Sequence, residues 1–508
     1  MTRINTNVNS LIAQRILGQN NQDLSKSLER LSTGLRINRG ADDPSGLIAS
    51  QNLRAEKSAL TAAISNAERA DQVVNIAEGG LNEVSDLLTQ LQGLVTATAN
   101  DAGLSQEEKE ANQLQIDSIL QTIDRVAGAT SFQGTKLLNG TFDYDVETVD
   151  AAVNSYRVNG AKLGFGETLD VEVAVTGSAA VGGFLLEFGG ANLDLTSAGA
   201  TFVIEVAGSL GSRELSFASG TGVSTIISTI NSFSDVTGVE ATISGTDDLR
   251  LTSVERGADE FVSVKVIDDG GAAGNGVTKL DDGDEATASG SATAWNALTN
   301  GLTDSGKDVE VFINGQQATT KGTVARVNTD FLDVQIDLAY DTGNPSAGQV
   351  GAFTAFTITG GGADFQLGGR VDIAGKVSLG VQNVAVREIG KVTDNSTDYS
   401  LADIGAGKSL NVVDGDLTVA QKAVEEAIKN VSSIRGRLGA FQSNTIGATI
   451  RSLGVSLENT AAAESVIRDV DFASETAALT RGQILAASAG QVLTLANSQP
   501  QSALQLLG

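Results

Sequence analysis

The chain has 508 residues, 41 % hydrophobic but only 4 % aromatic, which predicts several domains with aliphatic, alanine-rich cores. It contains neither cysteine nor histidine, excluding disulfides, thiolate or imidazole metal sites, histidine-based triads and an HExxH zinc protease. The net charge of −28 sits in the middle: residues 141–404 hold 14 basic and 37 acidic side chains, against 12 and 16 in 1–140 and 8 and 9 in 405–508. No basic stripe exists to meet nucleic acid. Near-neutral ends can pack against copies of themselves, while an acidic middle resists close approach.

The opening, MTRINTNVNSLIAQRIL, has no charged head followed by an apolar run, so a cleavable secretory signal is not expected. No apolar stretch approaches the ~20 residues of a bilayer span. A cytosolic location fits this start, and so does export through a machine that reads an uncleaved signal.

A first helix is predicted from about Asn5 to Ser32, with Leu17, Leu24, Leu28, Leu31 and Leu35 at heptad spacing. Thr33–Gly46 (TGLRINRGADDPSG) breaks it. Asp43 or Ser45 can cap the next helix, and Pro44 suits a first-turn position where its missing N–H costs little. From Leu60 the apolar positions run Leu60, Ala63, Ala67, Ala70, Val74, Ala77, Leu81, Val84, Leu88, Leu91, Val95. Steps of three and four sustained over five heptads predict a long helix that needs partner helices. Ser105-Gln106-Glu107-Glu108 reads as a capping box opening a third helix that ends near Gly128. Phe132–Gly140 reads as a hairpin with its tight turn at Asn139-Gly140.

From about Tyr144 to Asp403 the period changes to two. Strands are predicted at 202–206, 214–217, 239–243, 249–252 and 262–266, and a short helix at 223–233 makes them a ββαββ unit. Another strand-rich stretch spans 309–338, and Gly360-Gly361-Gly362 marks the return to helix. Val424, Ile428, Val431, Ile434, Leu438, Phe441 and then Ile446, Ile450, Leu453, Leu457 draw a second long stripe. A helix over 417–460 would be roughly 65 Å long at 1.5 Å per residue. The last segment is helical again, with Leu485, Val492 and Leu495 at heptad spacing and Ala486, Ala487 and Ala489 permitting close approach. Pro500 then ends or kinks it before Leu504, Leu506 and Leu507.

The predicted fold class is α+β multidomain: a long antiparallel helical coiled coil or bundle from paired terminal segments, with β-rich outer domains inserted between them. The expected divisions are 1–45, a terminal helix and connector; 46–143, bundle with hairpin; 144–404, the acidic β-rich region with its ββαββ unit near 201–266; 405–462, bundle; and 463–508, the second terminal helix.

RLSTGLRINRGADDPSG (30–46), TNVNSLIAQ (6–14), IDRVAGATSFQGTKLLNG (123–140), AAAESVIRDVDFASE (461–475) and the run from Phe472 to Gly508 closely resemble bacterial flagellin. The resemblance covers about 1–140 and 405–508, and residues 201–266 resemble an insertion motif found in some flagellins and hook-associated proteins. It implies a non-enzymatic subunit of the flagellar filament, without cofactor or metal, exported unfolded through the flagellar export apparatus without signal cleavage. Further implied partners are an export chaperone and the hook-associated junction and cap proteins. Terminal helices of unpolymerised flagellins are disordered, as an amphipathic helix with half a partner would be.

Against that background Leu17, Leu24, Leu28, Leu31, Leu485, Val492 and Leu495 are the expected assembly interface. The terminal pair has no third partner within the chain, and a head-to-tail contact that does not close generates a helical filament. Gly34, Gly40, Pro44 and Gly46 are the expected connector hinge, with a plain inter-helix loop as the alternative. The acidic turn Asp281–Glu285 lacks EF-hand spacing and reads as a solvated loop. Asn139, Asn395 and Asn430 open N-glycosylation triplets of little weight. Where receptor-activating flagellins carry a basic and an acidic residue, this chain has Gln90 and Gly93, with Leu94 retained, so weak recognition by the animal flagellin receptor is expected. Two rivals remain: a hook–filament junction protein, and an adhesin or binding module acting through residues 145–403.

Overall fold

The computed structural model describes residues 6–100, 103–164, 166–195, 199–245, 248–281, 284–339, 350–394 and 397–505. The chain forms two compact units, one of Met1–Asn75, Phe365–Lys376 and Arg437–Gly508, the other of Ile76–Asp364 and Val377–Gly436. The helices used below are α1 (Val8–Thr33), α2 (Pro44–Thr98), α3 (Gln106–Ala129), α4 (Val223–Asn231), α5 (Leu417–Ala440), α6 (Gly447–Arg468) and α7 (Phe472–Gln505). Leu504 falls in α7 and Leu506 and Leu507 lie outside the described residues.

The heptad reading of α2 holds at every position. From Leu60 to Val95 no residue of the stripe is more than 8 % exposed. The second stripe is buried through Val424, Val431, Ile434, Leu438 and Ile446, while Ile428, Phe441, Ile450, Leu453 and Leu457 are half-buried. Between Phe441 and Ile446 the stripe takes a step of five rather than three or four. The structure places a π-helical turn over Phe441–Ile446, whose wider ring absorbs the extra residue and returns the stripe to the same face. Gln442 anchors that turn by donating from Nε2 to Asp71 Oδ1 at 2.9 Å and Asn75 Oδ1 at 3.0 Å.

The larger unit contains a helical bundle and two β cores. In the bundle, Leu81, Val84, Leu88, Leu91 and Val95 of α2, Ile116, Ile119, Leu120 and Ile123 of α3, and Ala420, Ala423, Val424, Ala427 and Val431 of α5 are buried. Asn112 Nδ2 of α3 donates to Thr98 Oγ1 of α2 at 3.1 Å and Arg435 Nε of α5 to Glu78 Oε1 of α2 at 2.9 Å. The capping box is present: Glu108 N donates to Ser105 Oγ at 3.3 Å, and Ser105 N to Glu108 Oε2 at 2.8 Å. The buried Gln113 ties α3 to the segment preceding α5, donating to the Ile404 carbonyl at 3.0 Å and accepting from Val412 N at 2.8 Å. The hairpin sits earlier than expected. Its strands are Ser131–Phe132 and Thr135–Lys136, and the turn is Gln133-Gly134, with φ of 50° and 90°. Two consecutive left-handed residues are what a tight type I′ hairpin requires, and the less usual Gln-Gly pair supplies them.

One β core joins the sheet Gln316–Gln317, Glu310–Ile313, Leu169–Gly177, Gly351–Gly361, Tyr144–Glu147, in that order, to the sheet Thr319–Lys321, Val324–Asn328, Leu332–Leu338, Val153–Ala161. The other is inserted between Leu169–Gly177 and Glu310–Ile313. It joins the sheet Asp284–Thr293, Gly276–Asp281, Gly183–Glu187, Asp248–Ser253, Val239–Ser244 to the sheet Leu302–Ser305, Phe261–Asp268, Thr201–Gly208, Ser212–Ala218. A bridge between Ala180 and Lys307 closes the neck of this insertion. The strands and helix of the ββαββ unit form where the alternation put them, but they divide between two sheets, with Val223, Ile226 and Ile230 of α4 buried among them. The inserted core is also less aliphatic than composition suggested. Trp295 stacks on Phe188 at 5.1 Å and meets Phe202 edge-on at 5.2 Å, so the scarce aromatics are concentrated here. Gly361 and Gly362, at φ of 83° and 77°, end the Gly351–Gly361 strand; a Cβ on Gly361 would collide with the Asp143 carbonyl. In the acidic turn Asp281–Glu285, Asp282 and Gly283 lie outside the described residues, as does Asn395.

Candidate assembly interface

The terminal helices α1 and α7 pack antiparallel within the smaller unit. Asn7 Nδ2 donates to the Ala496 carbonyl at 2.7 Å and Ser10 Oγ to Asn497 Oδ1 at 2.6 Å. Further along, Asn20 Nδ2 donates to the Leu485 carbonyl at 3.3 Å. Leu24 lies over Gly482, where an added Cβ would come within 3.5 Å of it. At the far end Arg30 Nη1 pairs with Glu475 Oε2 at 3.6 Å. The chain leaving α1 pairs with the chain entering α7: Arg36 N donates to the Arg468 carbonyl at 2.7 Å, and Val470 N to the Gly34 carbonyl at 3.0 Å.

The side chains that this pair buries are small. Ala13, Ala489 and Ala496 are buried at 4 %, 8 % and 8 % exposure. The large apolar side chains are turned out: Val8, Leu11, Ile12, Ile16, Ile484 and Phe472 are exposed, as are Leu28, Leu485, Val492 and Leu495 of the expected interface. Leu17, Leu24 and Leu31 are half-buried. The seven expected residues therefore divide between the inside of the helix pair and its open face. Leu11, Ile12, Ile16 and Ile484 lie on the open face outside the heptad set, and of the three alanines expected to permit close approach Ala489 is buried, Ala486 half-buried and Ala487 exposed. A buried methyl contributes roughly 0.8 kcal/mol, so an alanine-lined seam supplies little against the ordering of two long helices.

The connector is tied down at both ends. Gly34 caps α1 in the left-handed region, φ 71°, with its N–H donating to the Arg30 carbonyl at 2.8 Å. Pro44 is the first residue of α2, and Asp43 is its cap, with Oδ1 accepting from Gly46 N at 2.9 Å and from Ser45 Oγ at 3.0 Å. Gly46 lies inside the helix, where an added Cβ would sit 2.7 Å from Ile37 Cδ1, so it serves close packing. Gly40 is exposed, with a normal contact to Leu47. Asp42 gathers the middle of the loop, accepting from Arg39 N at 3.0 Å and Asn38 N at 3.2 Å and pairing with Lys26 at 3.1 Å.

These contacts lower both carboxyls from the ordinary 3.8: the Arg39 N–H and then Lys26 act on Asp42, the Gly46 N–H and then the Ser45 hydroxyl on Asp43. A depressed native pKa stabilises above the unfolded value and the contribution is lost as pH falls through the native one. Cleavage by an acid-active protease within 36–46 is expected to accelerate once pH drops below about 3.8, while cleavage in the α2 seam stays slow; an unchanged rate would show that these carboxylates do not hold the connector.

Elsewhere, Gln90 and Gly93 are exposed on α2 and Leu94 is half-buried. Asn430 is engaged, its Oδ1 accepting from Arg157 Nη2 at 2.7 Å, and Asn139 Oδ1 accepts from Thr141. Among the described residues no group of three or more acidic side chains could hold a metal ion.

Residues 4–143 match the bacterial flagellin N-terminal helical region, 421–507 the bacterial flagellin C-terminal helical region, and 201–255 the flagellin hook IN motif. The chain is 28 % identical to Flagellin B and 29 % identical to Flagellin A of Helicobacter pylori, and 27 % identical to a flagellin of Salmonella choleraesuis, each over 99 % of both chains. Among solved structures, FliC from Burkholderia pseudomallei is 14 % identical over 74 % of this chain and 99 % of its own, with a TM-score of 0.23. FlgL from Xanthomonas campestris is 12 % identical over 80 % and 98 %, with a TM-score of 0.27. Helical flagellin regions at both ends in the right order, with relatives that run the full length, place the chain in the bacterial flagellin family, the structural subunits of the flagellar filament.

Proposed function

We propose that α1 and α7, within segments 1–45 and 463–508, form the layer through which copies of this chain polymerise. The segments 46–143 and 405–462 then make the surrounding bundle, and 144–404 the acidic outer region. The observation that carries the reading is the inversion in the terminal pair: among its described residues only alanines are buried, while ten large apolar side chains, among them Leu11, Ile16, Leu28, Ile484, Val492 and Leu495, are exposed. A lone subunit exposes that face to water, and identical neighbours can cover it. The role is structural, with no catalytic step. Export proceeds through the flagellar apparatus without signal cleavage, and an export chaperone, junction proteins and a cap protein are its further partners. The uncharged surface at Gln90 and Gly93 gives the animal flagellin receptor no ion pair there.

The test is negative-stain electron microscopy of the purified full chain under polymerising salt, beside chains lacking 1–35 or 470–508. Long uniform filaments from the full chain and none from either truncation are expected. Filaments from the truncations would remove the terminal helices as the assembly element. Absence of filaments from the full chain, even with seeds, would favour a junction protein.

A further inference from the structure

Away from the α1–α7 pair, the smaller unit carries a groove and a projecting loop that match each other. The groove, about 770 Å³, is lined by Arg54, Lys57 and Ala62 of α2, Leu35, and Glu464 and Arg468 of α6, among others. Its charge is unbalanced. The Glu464 carboxylate faces Arg54 Nε at 3.6 Å, Lys57 Nζ at 3.5 Å and Arg468 Nη1 at 4.0 Å. Among the described residues Asp469 is the only other acid in the lining, so three cations stand against two carboxylates. These separations are long beside the roughly 2.7–2.9 Å of a charge-assisted hydrogen bond. The Arg468 Nε is buried without a hydrogen-bond partner, a state that normally calls for an acceptor. The lining thus carries one positive charge in excess, which a further carboxylate at the groove mouth would balance.

The loop comprises residues 370–374, all exposed. Val371 at its tip is 96 % exposed and Ile373 42 %. The loop is nevertheless a defined turn: Asp372 Oδ1 accepts from Gly375 N at 2.6 Å, and Gln366 Nε2 donates to the Arg370 carbonyl. Its base rests on α2, with Gly369 beside Ala59 and Leu60, and Asn66 Nδ2 donating to the Gln366 carbonyl at 3.4 Å. An ordered turn that presents two apolar side chains around one carboxylate is a knob.

Knob and groove lie at the same level of α2. At 3.6 residues per turn, the groove positions 54, 57, 58, 61, 62 and 65 centre on one side of the helix and 59, 60 and 66 on the other, roughly 150° apart. A chain with a knob on one side and its complement on the opposite side makes a heterologous contact, which propagates instead of closing. We propose that residues 370–374 of one copy insert into the Arg54–Lys57–Arg468 groove of a neighbouring copy. Asp372 meets the cations, Val371 and Ile373 cover Leu35 and Ala62, and Arg370 faces Asp469, the groove's second acid. This inference rests on the filament reading and adds a lateral lock outside the terminal helices.

The absence of cysteine gives a clean test. Full chains bearing Val371→Cys alone and Ala62→Cys alone are each doped into excess wild type, copolymerised, oxidised and run on a denaturing gel. A disulfide demands Cα atoms within about 4.4–6.8 Å, so a dimer band is expected from polymer and not from the same mixture as monomer. Leu114→Cys, on an exposed position of α3, replaces Ala62→Cys as the control and should give none. In parallel, Asp372→Lys is expected to raise the critical concentration for assembly about tenfold, with Lys57→Asp in the same chain restoring it. Polymer without a dimer band above the control, or an Asp372→Lys chain that assembles normally, overturns the lock and leaves the filament reading intact. Failure of the wild type to polymerise overturns both.

Discussion

Leu88→Asp is expected to unfold the helical bundle of the larger unit. Leu88 is fully buried in the stripe of α2, at 0 % exposure. Replacing a buried leucine by alanine costs about 2–5 kcal/mol through lost burial and a residual cavity. Aspartate adds the burial of a carboxylate with no partner, which costs further whether it ionises or takes up a proton. Against a total stability of roughly 5–15 kcal/mol, that is enough to abolish the folded bundle at neutral pH. Urea titration followed by far-ultraviolet circular dichroism should show Leu88→Ala unfolding at lower denaturant and Leu88→Asp with no helical transition in this bundle. Leu114→Asp, at a position 70 % exposed, should stay within about 0.5 kcal/mol of wild type. Equal effects at 88 and 114 would mean the stripe is not the bundle's core.

The double variant Val492→Asp/Leu495→Asp should do the opposite: leave the subunit intact and stop it assembling. Both side chains are exposed in the lone chain, at 55 % and 64 %, so their loss removes no internal contact of consequence. In a polymer that covers the part still exposed, each contributes roughly 1–2 kcal/mol, a little over half the value of complete burial. About 1.4 kcal/mol corresponds to tenfold in an equilibrium constant, so the critical concentration should rise at least about twentyfold. Sedimentation measures that rise, while circular dichroism and the urea midpoint of the monomer remain unchanged. A variant that assembles at the wild-type concentration would take α7's open face out of the interface.

The α2 seam was legible because one rule governs it: a partner on one side of a long helix forces steps of three and four, and each position it selects is buried. The strands of the ββαββ unit were legible for the same reason at period two. Which strands pair was not legible. Gly183–Glu187 lies between Gly276–Asp281 and Asp248–Ser253, a long-range choice that leaves no mark on local alternation. The hairpin was misplaced because Asn139-Gly140 is the commoner turn pair, whereas Gln133 adopts positive φ under the constraint of its flanking strands. The π turn was visible only as a five-residue step in the second stripe. At the terminal helices, counting large apolar residues found parts of both faces without separating them, because the tight contact there is made by alanine and glycine.

The most direct measurement is backbone hydrogen exchange, followed by mass spectrometry, on the monomer and on the assembled form. Amides of 8–33 and 472–499 should exchange far faster than the α2 seam in the monomer and become protected on assembly, while residues 60–95 stay protected in both. Terminal helices already as protected as the seam in the monomer would contradict the claim that this pair is completed only by its neighbours.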